Sequence, residues 1–88
     1  MTNQNLIGPA VRRMRVDRGL TQDALAARCQ VAGWDLSRGT LSKIEAQLRR
    51  VTDAEVRMLA HVLKCEMLEL YPAGLKAVLP ALRHSRDA

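Results

Sequence analysis

Between Leu36 and Glu45 the chain reads LSRGTLSKIE, and the chemistry lies in its polar residues. On a helical period Leu41 and Ile44 share one face, which leaves Arg38, Gly39, Ser42 and Lys43 on the other, where nothing apolar asks for burial. Arginine and lysine donate to guanine O6 and N7, and the hydroxyls of Thr40 and Ser42 suit several base edges. Gly39 costs about 1 kcal/mol in a helix relative to alanine, a cost that close approach to a partner would justify. The same face would also suit a solvated surface helix, so the surrounding elements decide between the two.

Three helix starts share one chemistry. Leu20-Thr21 with Leu25, Leu36-Ser37 with Leu41, and Val51-Thr52 with Val56 each pair a hydroxyl cap with an apolar staple; the third adds Glu55 as a capping box. No alternating strand pattern competes, so the fold class is all-α. An earlier helix uses Leu6, Ile7, Ala10, Val11 and Met14, with Asn3 or Asn5 as cap, Pro9 in its first turn and Gly19 closing it. The second helix turns Leu25, Ala26 and Cys29 inward before Gly33-Trp34-Asp35 breaks it, and Trp34 is expected to lid the core. A fourth helix over Asp53–Leu63 buries Val56, Leu59, Ala60 and Leu63. A short helical turn over Glu66–Leu70 directs Met67 and Leu70 inward.

The 88 residues suit one domain with an aliphatic core, since there is no Phe, one Trp and one Tyr. The net charge of +5 favours a polyanionic partner. Its placement is uneven: residues 1–52 carry nine Lys/Arg against four acids, and residues 53–71 carry two against four. Cys29 and Cys65 are too few and too distant for a zinc site or disulfide framework, and both are expected to be buried and reduced. His61 and His84 have no neighbours that would make a triad, metal site or acid–base pair, so neither an enzyme nor a cofactor is expected. With no signal peptide or membrane-length apolar run, a cytoplasmic protein without a membrane partner is expected.

Taken together, LTQDALAARC, LSKIE, VTDAEVRMLAHVLK and MLELYP resemble the helix-turn-helix domain of the lambda-repressor/Cro-like (XRE) family over about Leu6 to Tyr71. The resemblance implies a compact five-helix bundle, here residues 1–71, that uses its second and third helices to read operator half-sites as a dimer. By position it implies that Gln22 touches a phosphate or orients a reading side chain. Ser37, Arg38, Gly39, Thr40, Ser42 and Lys43 then face DNA, and Arg49 and Arg50 grip the backbone. It also implies an ion pair between Glu45 and Arg15. Two departures stand out. Ala26 to Leu41 is about five residues longer than the family's tight turn, which puts Gln30 to Trp34 in an insertion. The glycine usual just after the acidic position is Gln47, where a left-handed backbone would be mildly strained.

Residues 72–88 form a short C-terminal extension outside the resemblance. Its Leu75, Val78, Leu79 and Leu82 recur at helical spacing, and the domain before it already closes a core, so they are assigned to homodimer contacts. The function expected is a sequence-specific double-stranded DNA-binding transcriptional regulator, a repressor or autoregulator binding an inverted repeat through Ser37-Glu45. The alternative is a protein-interaction module, an antitoxin or adaptor, that keeps the fold but acts through a protein partner.

Overall fold

Each hydroxyl identified as a cap accepts a backbone amide three residues on. In the computed structural model, which describes residues 3–82, Thr21 takes the amide of Ala24, Ser37 that of Thr40 and Thr52 that of Glu55, at 3.0–3.1 Å. Glu55 returns the bond to the Thr52 amide and completes the capping box. Behind these caps run α2 (Gln22–Val31), α3 (Arg38–Glu45) and α4 (Asp53–Leu63), preceded by α1 (Gly8–Asp17) and followed by α5 (Leu79–Leu82). The chain is an all-α five-helix bundle, with no strand among the described residues.

The core is aliphatic. Ile7, Val11, Leu25, Leu36, Leu41, Ile44, Leu59, Leu63 and Leu70 are fully enclosed, and Trp34 packs against them from the connection between α2 and α3. Burying a leucine or isoleucine contributes about 2 kcal/mol each, so this cluster, with little aromatic help, supplies most of the drive to fold. Cys29 lies within it, and burial pushes its thiol up to about 11, well away from reactive thiolate.

The second helix runs to Val31, as the break at Gly33-Trp34-Asp35 implies, so the first residues of the insertion, Gln30 and Val31, are helical and the link to α3 is Ala32 to Ser37. Gln30 Nε2 braces that link by donating to the Leu36 carbonyl at 2.9 Å. Met67, expected inward, is exposed: Lys64 ends α4 in the left-handed conformation (φ 57°), and the chain then makes a 3-10 turn, Met67–Leu70, which sends only Leu70 into the core. Cys65 follows that left-handed residue and is half-buried rather than enclosed.

The tail adds a 3-10 turn at Leu75–Ala77 and the short α5, whose second residue is Pro80. None of its described residues is fully buried. Residues 83–88, with His84, lie outside the described residues.

Candidate nucleic-acid interface

Helix α3 is fixed at its C-terminal end. Glu45, with its side chain 3% exposed, accepts from Arg15 Nε at 2.7 Å and Arg15 Nη2 at 3.1 Å, and its Oε1 also accepts from Gln22 Nε2 at 3.0 Å. Arg15 spends its remaining edge on the Leu20 carbonyl at 2.7 Å. One carboxylate thus joins α1, α2 and α3. Paired and hydrogen-bonded on every side, it meets the condition under which a buried charge is tolerated.

A second clamp, which the sequence reading did not anticipate, holds the same end. Asn5 Nδ2 donates to the carbonyls of Ile44 (3.0 Å) and Arg49 (2.8 Å), while its Oδ1 accepts the Gly8 amide at 2.8 Å and so starts α1. Gly8 must be glycine, because a Cβ there would run into the Ile44 and Glu45 carbonyls. Gln47 takes the left-handed backbone (φ 62°) of the usual glycine, and its side-chain amide donates to the Asn5 carbonyl at 3.0 Å, which offsets the strain. Sequence offered one hint of this clamp, Asn5 as a cap; its longer contacts span about forty residues and leave no local signal.

The other end of α3 faces solvent. Ser37, Arg38, Gly39, Ser42 and Lys43 are exposed and Thr40 is half-buried, with the Ser37 hydroxyl donating to Thr40 Oγ1 at 3.0 Å. Around Gly39 a Cβ would meet only Ser37 Oγ at 4.0 Å, so packing within the domain does not ask for glycine. Arg38 Nε lies 3.7 Å from Asp23 Oδ1 at the start of α2, both side chains well exposed. Such a pair is worth about 0–1 kcal/mol and leaves the guanidinium available.

The remaining candidates are more engaged. Gln22 is committed to Glu45. Arg49 forks onto Glu55 with two bonds of 3.1 Å and also donates to the Arg50 carbonyl. The Arg49 hydrogen bonds hold the Glu55 carboxyl below the usual range, with bonds from Thr52 adding to the effect. Arg50 is exposed beside them. The arrangement brings Arg38, Ser42 and Lys43 together on one solvated face and sets Arg49 and Arg50 just beyond its end. Among the described residues no cluster of His, Cys, Asp or Glu could hold a metal, and no helix is long and apolar enough to cross a membrane.

Two helices locked through one carboxylate, with the second presenting an uncommitted donor face, define a helix-turn-helix DNA-binding domain. The chain belongs to the helix-turn-helix family: the family model HTH_3 (Helix-turn-helix) matches residues 11–70. The solved structure of the restriction-modification controller protein C.AhdI from Aeromonas hydrophila is similar, with 29% identity and a TM-score of 0.65 over 74% of this chain and 91% of that one. The hypothetical transcription factor NHTF from Neisseria matches with a TM-score of 0.68 over 86% and 85%, and at 22% identity that likeness concerns the fold. Comparison with curated proteins finds no match for the chain.

Proposed function

We propose that the chain is a sequence-specific regulator of transcription, of the lambda-repressor/Cro-like kind, that acts as a repressor or autoregulator on an inverted repeat. The observation that carries the reading is the asymmetry of α3: Glu45 and the Asn5 clamp hold one end, while Arg38, Ser42 and Lys43 stand exposed, engaged in nothing stronger than the solvated pair of Arg38 with Asp23. Rigid support with free donors is what base readout requires. The likeness to a protein described as a restriction-modification controller supports regulation as the role.

Arg38 is assigned to a base edge and Arg49 and Arg50 to phosphates. Arg38→Ala should cost about 1–3 kcal/mol on the cognate site and relax preference there, whereas Arg49→Ala should weaken all sequences alike. Binding competitions between cognate and random duplexes read the difference; equal losses for both variants on both duplexes would demote Arg38 to a backbone contact. For a dimer touching about 6–8 phosphates, log K should fall with log salt at a slope of roughly −5 to −7.

A two-fold partner is assigned to the tail. Leu75, Leu79 and Leu82, spaced by four and three, are 82%, 54% and 56% exposed, whereas Val78 is half-buried. That stripe supports residues 72–88 as a dimerisation segment outside a DNA-binding domain of residues 1–71. A chain ending at Pro72 should stay helical, sediment as a monomer, and lose far more affinity for paired half-sites than for one. A truncated chain that still dimerises would overturn the assignment.

A further inference from the structure

Behind the reading unit, the last turn of α2 and the outward face of α4 enclose an open cleft of about 1080 Å³. Arg28 stands on one wall, and Arg57, His61 and Lys64 form a stripe on the other at helical spacing, over Ala60 and Val62. Val31, 91% exposed, and the exposed Met67 flank it. Among the described residues Arg28, Arg57 and Lys64 have no ion pair or side-chain hydrogen bond. Arg28 lies in the last turn of α2 and Lys64 caps α4, where the dipole favours a cation. Arg57 is mid-helix, and neither the fold nor the capping explains it.

Two acids line the same cleft: Glu66 and Glu69 lie on the side of the 3-10 turn, the Glu66 amide donating to Glu69 Oε2 at 2.8 Å. They keep their charges but form no ion pair with Arg28, Arg57 or Lys64, so the cleft has a cationic side and an acidic side and carries a positive excess. The wall bearing Val31 comes from the extra turn of α2, the part of the chain that departs from a tight helix-turn-helix. That added length does not touch α3's reading face. It exposes an apolar side chain beside three cations.

We infer that this cleft docks an acidic amphipathic segment of a protein partner. Its carboxylates would lie along Arg28, Arg57 and Lys64, and an apolar residue would rest against Val31 and Met67. Charge complementarity selects the sign of the partner, and the exposed valine selects a peptide over a phosphate backbone, which has nothing to gain from it. Helix α3 packs on α1 and α2, and the cleft opens at the far end of α2 from the Gln22–Glu45 bond, so duplex and peptide can bind together. The proposal does not depend on which DNA is read.

The test uses the whole protein and a fluorescein-labelled helical peptide of about fifteen residues, with glutamates on one face and two leucines on the other. Its control replaces every glutamate by lysine. Anisotropy should report binding of the acidic peptide only. Arg28→Glu with Arg57→Glu should weaken it by about tenfold or more, Val31→Ser should weaken it severalfold, and saturating random duplex should leave it unchanged. Circular dichroism should show the variants folded, with Arg28→Gln and Arg57→Gln standing in for any reversal that is not. Equal binding of the two peptides, indifference to the substitutions, or no binding would overturn the proposal. Displacement by duplex would give the cleft to DNA instead.

Discussion

Replacing Glu45 by glutamine keeps the shape of the side chain and removes its charge. Arg15 would remain, with a side chain 11% exposed, facing a neutral amide that can accept one of its two bonds to Glu45. Breaking a buried pair from one side costs about 3–5 kcal/mol. Because Arg15 keeps the Leu20 carbonyl and some contact with water, the lower end applies, about 3 kcal/mol. A domain of this size has only about 4–13 kcal/mol in all, so melting should fall by roughly 12–24 °C. Thermal and urea unfolding followed by circular dichroism read this directly. The cost arises from the stranded cation, so the double variant Arg15→Met, Glu45→Leu should recover most of the loss. A Glu45→Gln protein melting within about 3 °C of the parent, or a double variant worse than the single, would refute the reasoning.

Gly8→Ala should cost about 2 kcal/mol or more, because the new methyl meets backbone carbonyls of Ile44 and Glu45 that cannot rotate away; a melting curve checks it. The two left-handed residues other than glycine should respond differently to a glycine substitution. Lys64→Gly relieves about 1 kcal/mol of backbone strain and should raise the melting temperature. Gln47→Gly forfeits its bond to the Asn5 carbonyl and should gain nothing. Glu55 has its pKa lowered by Arg49, so the pair's contribution is full above the ordinary glutamate value of about 4.3 and fades as pH falls through the lowered one. The melting gap between parent and Glu55→Gln should therefore be widest near neutral pH and close as the pH falls below the lowered value.

Helix boundaries were legible wherever a cap announced them. Thr21, Ser37 and Thr52 make the expected bonds because capping is local, decided by residues three apart. The pairing of Arg15 with Glu45 came only through family resemblance, since nothing in the spacing of residues thirty apart dictates contact. Asn5 is legible only as a possible cap and nothing local singles out Gly8; the larger role of both depends on where residues 44–49 arrive. Met67 was misplaced because an inward direction was read from helical spacing, while a left-handed residue three positions earlier redirected the chain. Asp23 gave no sign of lying near Arg38, a proximity created by the angle between α2 and α3.

The clamp at Asn5 also bears on the order of folding. Its bonds close a loop of about forty residues, which costs roughly 3 kcal/mol of chain entropy beyond a constant before any contact is gained. Docking α1 on α3 already closes a loop of about thirty residues through Arg15 and Glu45, so the Asn5 bonds join segments that helix packing has brought together. Contacts formed after the barrier leave the folding rate alone and govern how fast the native state comes apart. Loosening Asn5, remote from the solvent face of α3, should therefore shorten the lifetime of the assembled reading unit more than it slows the approach to the fold, with Arg15 and Glu45 still holding the helices together.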